Sequence, residues 1–325
     1  MIVKFTAKQT VDVLRAVGEP SRLRILALLA REELAVLELC RVMDQSQPRI
    51  SRHLKLLAEA GLVERFPDGA WVFYRLAGAG RERDVVEHLL SNVDTDDLVL
   101  AHDHGRLDGV LTERAAAAQS YFAENAARWD QIRSLYVSDA DVEDAIVQVS
   151  GERRIRRLVD LGSGTGRMLT LLGPRAGQAV GLDLSQQMLN IARRNTTQAG
   201  LANVELRHGD ILDTRLADAT ADLVVVHQVL HYLGDPAAAV REASRLVAVD
   251  GRLIIIDFAP HKHEFLREAH QHRRLGFSDE EMARWLTEAG LPHLSLTSLP
   301  PNLSDGLTVK IWAAARTPDE LRIAA

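Results

Sequence analysis

An apolar segment runs directly into a glycine-rich loop in the stretch 158–166, Leu158-Val159-Asp160-Leu161-Gly162-Ser163-Gly164-Thr165-Gly166. The residues before Gly162 predict a buried β-strand, and those after Gly166 predict a helix. Glycine has no Cβ, so such a loop turns tightly from strand to helix and brings its backbone close to a ligand. The stretch therefore predicts a ligand site at the carboxyl end of a strand.

Acidic residues mark this strand and the ends of the next two predicted strands. Asp160 stands two residues before Gly162, Asp183 lies 19 residues after Gly164, and the third acid occurs in Gly209-Asp210-Ile211. Asp183 is placed to accept from ribose hydroxyls, and Asp210 to accept from an adenine amino group. The Gly-x-Gly-x-Gly spacing differs from the Gly-x-Gly-x-x-Gly loop of dinucleotide-binding folds, which is the competing interpretation.

Strands and helices alternate from residue 155 onwards. Strands are predicted at 155–161, 178–184, 203–208, 222–229, 252–258, 294–299 and 307–315, and helices near 167–172, 186–199, 236–248 and 279–289. This alternation predicts right-handed βαβ units and a mainly parallel sheet. With the last two strands as an edge hairpin, the expected architecture is a doubly wound, Rossmann-like sheet of seven strands.

Helical periodicity dominates residues 8–61, and a hairpin pattern follows. Helices are predicted from Pro20, at about 34–43 and at about 47–60, the last with Ser46 as its N-terminal cap and Gly61 as a left-handed C-terminal cap. Two β-rich runs, 62–66 and 71–76, flank Pro67-Asp68-Gly69-Ala70, which is a hairpin signal. A helix-turn-helix followed at once by a hairpin is the winged-helix arrangement.

The predicted helix at 47–60 has one apolar and one cationic face. Projection at 100° per residue places Ile50, Leu54 and Leu57 on a buried face. Arg52 and Lys55 fall on the opposite face, as a helix that presents donors to base edges and phosphates requires. The predicted DNA-contacting residues, two of them in the hairpin, are Gln47, Arg49, Ser51, Arg52, His53, Lys55, Arg65 and Arg75.

Two of these segments resemble the ArsR family of bacterial repressors. They are Glu19-Pro20-Ser21-Arg22-Leu23-Arg24-Ile25-Leu26 and Ser46-Gln47-Pro48-Arg49-Ile50-Ser51-Arg52-His53-Leu54-Lys55-Leu56-Leu57-Ala58-Glu59-Ala60-Gly61-Leu62-Val63. The resemblance implies a homodimer whose paired helices read a palindromic operator in double-stranded DNA. Many members sense metals through a Cys-x-Cys pair, but Val42 stands where the second cysteine would follow Cys40. We therefore predict no metal site, because one thiolate cannot form one.

Residues 153–316 resemble the class I S-adenosylmethionine-dependent methyltransferases in the loop and the three acids described above. The resemblance implies Asp160 near the amino-acid end of the ligand, and Leu184 or Met188 as an apolar wall against adenine. His227 lies in the last part of the fourth predicted strand, and Tyr121 lies on a helical segment expected to cover the site. The predicted residues for S-adenosylmethionine or S-adenosylhomocysteine are Asp160, Gly162, Ser163, Gly164, Gly166, Asp183, Leu184, Met188, Gly209, Asp210, Ile211, His227 and Tyr121.

Length and charge divide the 325-residue chain into unlike parts. We expect a winged-helix domain over 1–80, a helical dimerisation region over 81–150 with breaks near 92–97 and around Gly105, and a methyltransferase-like domain over 151–325. Residues 1–80 hold twelve Lys and Arg against nine Asp and Glu, whereas the whole chain carries a net charge of −6. Such an asymmetry is expected when only one end meets phosphate. A single cysteine and no apolar leader or membrane span predict a cytoplasmic protein.

Three functions fit these observations. The first is a transcriptional regulator, most simply a repressor, whose methyltransferase-like domain binds S-adenosylhomocysteine or S-adenosylmethionine as effector. The layout resembles ArsR-type regulators that respond to S-adenosylhomocysteine and control methionine-cycle genes. The second is an active small-molecule methyltransferase with an autoregulatory DNA-binding domain, for which His227, His231, His261 and His263 are candidate bases. The third is a metal-responsive repressor, which is disfavoured because the chain lacks the second cysteine of the Cys-x-Cys pair.

Overall fold

The computed structural model describes residues 5–78, 80–94, 97–129, 139–301 and 306–316. Two compact units divide the chain, an N-terminal unit, Met1–Ala116, and a C-terminal unit, Ala117–Ala325. This boundary falls inside the predicted connector, and the three-part division at 80/81 and 150/151 stays a prediction. Among the helices described, none is both long enough and apolar enough to cross a membrane.

The N-terminal unit is a helical bundle with a small antiparallel sheet of order β1-β3-β2. Its elements are α1 Ala7–Val17, α2 Pro20–Leu29, β1 Leu34–Ala35, α3 Val36–Met43, α4 Gln47–Glu59, β2 Val63–Asp68, β3 Trp71–Leu76, α5 Arg81–Ser91 and the first part of α6 Leu98–Asn125. The predicted helix at 34–43 is wrong at its start, because Leu34 and Ala35 pair with Tyr74 and Phe73 of β3. The winged helix-turn-helix is otherwise confirmed in the predicted order.

Helix α6 passes through Gly105 without a break, contrary to the sequence prediction. Glycine weakens a helix by only about 1 kcal/mol relative to alanine. Packing outweighs that cost here, because Asp103 and Leu107 on either side of Gly105 are buried. The Asp103 carboxylate also accepts from Arg24 of α2, with distances of 2.5 Å from Nε and 2.7 Å from Nη2. Tertiary contacts within the unit therefore keep the helix continuous through Gly105.

The C-terminal unit contains a seven-stranded sheet of order β6-β5-β4-β7-β8-β10-β9. Its strands are β4 Ile155–Leu161, β5 Ala176–Asp183, β6 Val204–His208, β7 Ala221–His227, β8 Val247–Phe258, β9 His293–Leu299 and β10 Val309–Ala315. After the end of α6, its helices are α7 Asp139–Ser150, α8 Arg167–Leu172, α9 Gln186–Gln198, α10 Pro236–Leu246, α11 Phe265–His270 and α12 Asp279–Glu288. Strand β8 begins earlier than predicted, because Val247 already pairs with Ala221 of β7.

Two apolar layers cover the sheet. On one face, Ala239 and Val240 of α10 and Trp285 of α12 pack against the strands. On the other face, Ile146 of α7 and Leu169 of α8 do the same. Strands β6, β5, β4, β7 and β8 run parallel, and β10 is antiparallel to both of its neighbours, β8 and β9, so β9 runs in the same direction as β8. The last two strands form the edge hairpin, as predicted. The doubly wound, Rossmann-like fold is confirmed.

The order of the parallel strands fixes where a ligand can bind. From β4 the chain moves outward to β5 and β6, and it then returns to β7 on the other side of β4. Ligands of open α/β sheets bind beside the carboxyl ends of the strands at such a change of direction. The crevice therefore lies beside the ends of β4 and β7, where the glycine-rich loop begins.

Glu242 of α10 ties the segment after β6 to the helical layer. Its Oε1 accepts from the Thr214 N–H at 3.0 Å, from the Thr214 hydroxyl at 2.6 Å and from Arg245 Nη2 at 2.6 Å. The hydrogen bonds from Arg245 and Thr214 lower the pKa of Glu242 to about 2. A lowered carboxyl pKa stabilises the fold above the unfolded pKa, and that contribution is lost as pH falls towards the folded value.

Replacing Glu242 by glutamine is expected to destabilise the C-terminal unit by about 1–3 kcal/mol at pH 7. The deficit should shrink between pH 4.5 and about 2, where the wild-type carboxylate itself becomes protonated. Urea unfolding at pH 4.5 and at a pH of about 2, monitored by near-ultraviolet circular dichroism, measures this stability deficit. The matched variant Glu205→Gln, whose partner Arg207 is exposed, should change stability by less than about 1 kcal/mol. Equal effects of the two variants on stability would contradict the stabilising role assigned to the Glu242 carboxylate.

Candidate ligand site and nucleic-acid interface

The glycine-rich loop after β4 has a backbone that favours glycine. Gly162, Gly164 and Gly166 adopt positive φ angles of 72°, 50° and 81°. A Cβ on Gly162 would stand 2.5 Å from Cγ2 of Val229, which excludes any side chain there. At Gly164 the nearest atom to such a Cβ is Nε1 of Trp129, at 3.6 Å. The loop is therefore tightly packed at its start and more open in its middle.

Asp183, the last residue of β5, holds this loop. One carboxylate oxygen accepts from the Gly164 N–H at 2.8 Å, and the other accepts from the Ser185 N–H at 2.8 Å. Burial raises the pKa of Asp183, and the two N–H groups act against that rise. Asp183 thus links the glycine loop to the start of α9, and it lies where the sequence placed a partner for ribose hydroxyls.

Asp160 and Ser163 are buried, whereas Gly162 and Gly164 of the loop are half-buried. Asp160 is 1% exposed and Ser163 is 7% exposed. Within the described residues, the Ser163 hydroxyl has no hydrogen-bond partner although it is buried. Its N–H donates to the Leu182 carbonyl at 2.9 Å, so the residue is fixed between β4 and β5. Both side chains are beside the predicted crevice, and their roles toward a ligand stay predictions.

The two candidates for an apolar wall differ in exposure. Leu184 is 43% exposed, whereas Met188 is only 2% exposed and lies on the buried side of α9. The Leu184 carbonyl is held by His208 Nε2 at 2.9 Å, which fixes the backbone between β5 and β6. Of the two, Leu184 has the side chain that a ligand can cover without rearrangement.

The segment after β6 carries the third predicted acid. The Gly209 N–H donates to the Asp183 carbonyl at 3.1 Å, which joins this segment to the end of β5. Asp210 is exposed and its Oδ1 accepts from the Leu212 N–H at 2.9 Å, while Ile211 is 5% exposed. The structure therefore joins Gly209 to Asp183, and the roles of Gly209, Asp210 and Ile211 toward a ligand stay predictions.

Aromatic side chains lie above the loop. Phe122 and Trp129 pack edge to face, with ring centres 5.3 Å apart, and Phe122 packs on Tyr232 at 4.9 Å. The Tyr121 hydroxyl lies 2.7 Å from Nδ1 of His270. Tyr121 thus belongs to this aromatic group, whose action as a cover over the site stays a prediction, and His227 lies at the end of β7, half-buried. Residues 130–138, which continue the predicted covering segment, lie outside the described residues.

A group of buried histidines beside this cover was largely missed by the sequence reasoning. His231 Nδ1 lies 2.7 Å from Oδ1 of Asp257, and both side chains are fully buried. The His231 ring stacks on His272 with centres 4.1 Å apart. Burial lowers the pKa of His272 far below its ordinary value and raises that of Tyr232. Sequence reasoning named His231 as a candidate base but not Asp257, His270 or His272; the signal for Asp257 was an acid that ends the apolar run 253–256.

Helix α4 presents the predicted faces. Ile50, Leu54 and Leu57 are fully buried. Of the predicted contacts on this helix, Gln47, Arg49, Ser51, Arg52 and Lys55 are exposed. Gly61 at φ 71° closes the helix as predicted, and the Leu62 N–H returns to the Leu57 carbonyl at 3.0 Å. Ser46 occupies the N-terminal cap position, but its side chain makes no capping hydrogen bond, so that detail of the prediction was wrong.

The wing and His53 depart from the predicted DNA-contacting set. Arg75 donates to Glu64 at 2.9 Å and to Glu33 at 3.2 Å, and its side chain is only 15% exposed. These two carboxylates hold Arg75 within the fold, so its assignment to DNA was wrong, whereas Arg65 is exposed. His53 is half-buried, 3.5 Å from Glu19, and burial lowers its pKa. Glu33 lies 42 residues from Arg75 along the chain, so the sequence did not reveal that contact, whereas Glu64 is the cross-strand partner of Arg75 in the predicted hairpin.

Metal ligands do not cluster in the described part of the chain, where no group of three His, Cys, Asp or Glu side chains is arranged to hold an ion. Cys40 is half-buried and packs against the core of the N-terminal unit. Burial raises the pKa of the Cys40 thiol, which favours the protonated, less reactive form.

Two family models match the chain, one in each unit. A model described as "Bacterial regulatory protein, arsR family" matches residues 19–65, and one described as "Methyltransferase domain" matches residues 159–255. Fold and sequence thus define a DNA-binding regulator domain fused to a methyltransferase domain. The chain carries an ArsR-family helix-turn-helix domain towards its N-terminus and a class I methyltransferase domain towards its C-terminus.

Individual relatives match either one part or the other. The arsenical resistance operon repressor of Escherichia coli K12 is 46% identical over 68 residues, which are 21% of this chain and 58% of the repressor. A demethylmenaquinone methyltransferase of Thermus thermophilus is 32% identical over 143 residues, which are 43% of this chain and 64% of that enzyme. The chain thus spans less than two thirds of the length of these curated relatives.

One solved structure supports the fold of the C-terminal unit. It is a chain from a complex that contains the Haloferax volcanii Trm112 methyltransferase activator, with a TM-score of 0.50 and 21% sequence identity. The superposition covers 60% of this chain and 97% of that chain. At this identity the similarity concerns the fold alone.

Proposed function

We propose that the protein is a transcriptional regulator whose methyltransferase domain binds S-adenosylhomocysteine or S-adenosylmethionine and thereby changes its affinity for DNA. The observation that carries the proposal is the presence, in one chain, of an exposed cationic face on α4 and a glycine loop held by Asp183. Repression of the bound promoter is the expected outcome, because a winged helix on an operator obstructs transcription. The protein acts in the cytoplasm in this proposal.

The residues of the C-terminal unit fit an S-adenosyl ligand. A Cβ on Gly164 would meet the Trp129 ring at 3.6 Å, so the backbone of the loop is exposed to a ligand there only because the residue is glycine, and Asp183 beside it is an acceptor suited to ribose hydroxyls. The exposed Leu184 offers an apolar surface for a base, and Asp210 is within the same edge of the sheet. Asp160, Gly162, Ser163, Gly166, Met188, Gly209, Ile211, His227 and Tyr121 complete the proposed site.

A homodimer on a palindromic operator is the proposed DNA-bound form. Apolar side chains remain exposed on α1 and at the start of α6, where Leu14 is 55% and Leu98 is 85% exposed. A second copy would cover such residues and would place a second α4 for the matching half-site. Gln47, Arg49, Ser51, Arg52, Lys55 and Arg65 are the proposed contacts, with His53 in a supporting position.

Operator binding with and without ligand tests the proposal. An operator is first selected from random DNA duplexes with the full chain, and its affinity is then measured without ligand, with saturating S-adenosylhomocysteine and with saturating S-adenosylmethionine. A coupling of about 1–3 kcal/mol predicts a change of about 5- to 150-fold with at least one ligand. Calorimetric ligand binding combined with an unchanged operator affinity would exclude the effector role.

Arg52→Ala is expected to weaken binding to the selected operator by about 1–3 kcal/mol and to relax sequence preference at one position of each half-site. The guanidinium is exposed on the face of α4 opposite the buried Ile50, Leu54 and Leu57. Arg31→Ala, which removes an arginine paired with Asp108 away from this face, is the matched control and should bind normally. Electrophoretic mobility shifts at fixed salt measure both variants. Normal binding by Arg52→Ala would show that α4 reads DNA through another face.

A further inference from the structure

Helix α6 belongs to both compact units of the chain. It runs without interruption from Leu98 to Asn125, and the boundary between the units falls between Ala116 and Ala117. Backbone hydrogen bonds tie each residue of a helix to the turn before it, so a continuous helix resists bending. A displacement at one end of α6 is therefore transmitted to the contacts that the other part of the helix makes.

Arg114 of α6 holds the start of α3 in the N-terminal unit. Its Nη1 donates to Glu38 Oε1 at 3.2 Å, and its Nη2 donates to Glu32 Oε1 at 3.0 Å. Through Oε2, Glu38 accepts from the Ala35 N–H at 2.8 Å, which caps the first turn of α3. Helix α3 in turn packs against α4, the proposed DNA-reading helix. Arg114 thus connects α6 to the cap of the helix that supports α4.

Of the links between α6 and α3, that of Arg114 is shielded from solvent. The side chains of Glu32 and Glu38 are 12% and 14% exposed, and that of Arg114 is 30% exposed. The neighbouring pair of Glu113 with Arg41 has exposed fractions of 63% and 58%, at which an ion pair contributes little. A change in the Arg114 pairs is therefore expected to affect α3 more than a change in the pair beside it.

The last turns of α6 carry aromatic side chains of the C-terminal unit. Phe122 packs on Trp129 with ring centres 5.3 Å apart, and the Tyr121 hydroxyl lies 2.7 Å from Nδ1 of His270. Tyr121 follows Arg114 by seven residues, which is about two turns of helix. The contacts to α3 and the contacts to the aromatic group are thus made by neighbouring turns of one helix.

Trp129 lies where a ligand would contact Gly164. A Cβ on Gly164 would stand 3.6 Å from Nε1 and 3.9 Å from Cδ1 of Trp129, so a carbon one bond length from the backbone already touches the indole. A ligand atom must instead stay about 3.5–4.0 Å from the backbone, and the ring occupies that distance on this side of the loop. The indole and a ligand on this side of Gly164 therefore exclude each other.

We propose that α6 is the element that couples the ligand site to the DNA-binding domain, with Arg114 as its positioning residue. The inference rests on the function proposed above and names the route of its regulation. An S-adenosyl ligand displaces Trp129 from Gly164, and Phe122, which packs on the indole, moves with it. The resulting shift of α6 changes the pair of Arg114 with Glu38. Because Glu38 caps α3, this change repositions α3 and the α4 that packs on it.

The first test compares operator affinity of the full chain with and without saturating S-adenosylhomocysteine or S-adenosylmethionine. The wild-type ratio is expected to be about 5- to 150-fold with at least one ligand. Arg114→Gln should reduce this ratio to less than about 2-fold, while the calorimetric ligand affinity and the melting temperature stay as in wild type. Asp108→Ala is the matched control, because it removes an exposed pair of α6 with Arg31 of α2, and it should keep the wild-type ratio.

A second variant tests the displacement step by itself. Trp129→Ala removes the ring that competes with the ligand at Gly164, and it should therefore raise the affinity for S-adenosylhomocysteine by about 2- to 10-fold, the equivalent of the lost ring contacts. Isothermal titration calorimetry measures this affinity. A weaker affinity would show that the indole holds the ligand and would overturn the displacement.

A third measurement does not involve DNA. Hydrogen–deuterium exchange of the peptide that contains Ala35 and Glu38 is compared with and without S-adenosylhomocysteine. The ligand should change this exchange rate by about 5-fold or more in wild type, the lower limit of the expected coupling, and Arg114→Gln should abolish the change.

The outcomes separate the inference from the proposed function. Unchanged exchange in α3 despite calorimetric ligand binding would overturn the inference, as would a full operator response in Arg114→Gln. A ligand-dependent change in α3 that Arg114→Gln abolishes, combined with an unchanged operator affinity, would support the route through α6 and contradict the proposed effector role. Failure of the wild-type chain to bind either S-adenosyl ligand would contradict both.

Discussion

Asp183→Asn is expected to lower the affinity for S-adenosylhomocysteine about 100-fold. The two carboxylate oxygens each accept one backbone N–H, from Gly164 and from Ser185. An asparagine retains one acceptor and turns a donor towards the other N–H, so the glycine loop loses one of its two ties. The substitution also removes the negative charge that a ribose hydroxyl would contact. Hydrogen bonds to charged groups contribute about 1.5–3 kcal/mol each, and about 2.7 kcal/mol corresponds to the expected factor.

Isothermal titration calorimetry measures this effect, and Asp213→Asn is the matched control. Asp213 is an exposed acid after β6 that pairs only loosely with Arg215, at 3.4 Å. The control should bind ligand as wild type does, and the melting temperature of both variants checks the fold. Full affinity in a folded Asp183→Asn chain would place the ligand elsewhere, whatever the outcome for operator binding.

Asp103→Ala is expected to destabilise the N-terminal unit by about 3–5 kcal/mol, because removal of one partner leaves the other charge partly buried and unpaired. Asp103 is 1% exposed and binds Arg24 through both oxygens, while the Arg24 side chain is 21% exposed. The pair joins α6 to α2, so its loss should loosen the contact between the helix-turn-helix and the long helix.

Hydrogen–deuterium exchange of peptides from α2 and α6 measures this loss without requiring both units to unfold together. Asp108→Ala is a control on the same helix, because its pair with Arg31 is exposed on both sides. It should cost less than about 1 kcal/mol. Similar protection in both variants would mean that the buried pair contributes no more than a surface pair does.

Features encoded in a short segment could be predicted from the sequence. The loop 158–166 combines an apolar strand with glycines at fixed spacing, and its local pattern gave the turn and the crevice. Helix α4 was predicted because its buried and exposed faces repeat every turn. The order of βα units likewise followed from hydrophobic periodicity, since each strand and helix must bury one side.

Features that depend on distant contacts could not be predicted in this way. The sequence predicted a helix break at Gly105, but the ion pair between Asp103 and Arg24, which are 79 residues apart along the chain, stabilises the helix there. Arg75 was predicted to contact DNA because the sequence around it does not indicate that it pairs with Glu33. The His231–Asp257 pair joins residues 26 apart on neighbouring strand ends, and only the fold brings them together.

The neutralised Arg75 has a consequence for the ionic-strength dependence of DNA binding. A cation that reaches a phosphate releases condensed counterions, and each such contact adds about 0.9 to the slope of log affinity against log salt. Because Glu33 and Glu64 already balance Arg75, the wing offers the exposed Arg65 as its arginine for a phosphate. A variant that lacks the Arg75 charge but retains its fold should therefore show the same slope of log affinity against log potassium chloride concentration as the wild type. The affinity of the protein for its operator should decline less steeply with salt than the count of arginines in its wing would suggest.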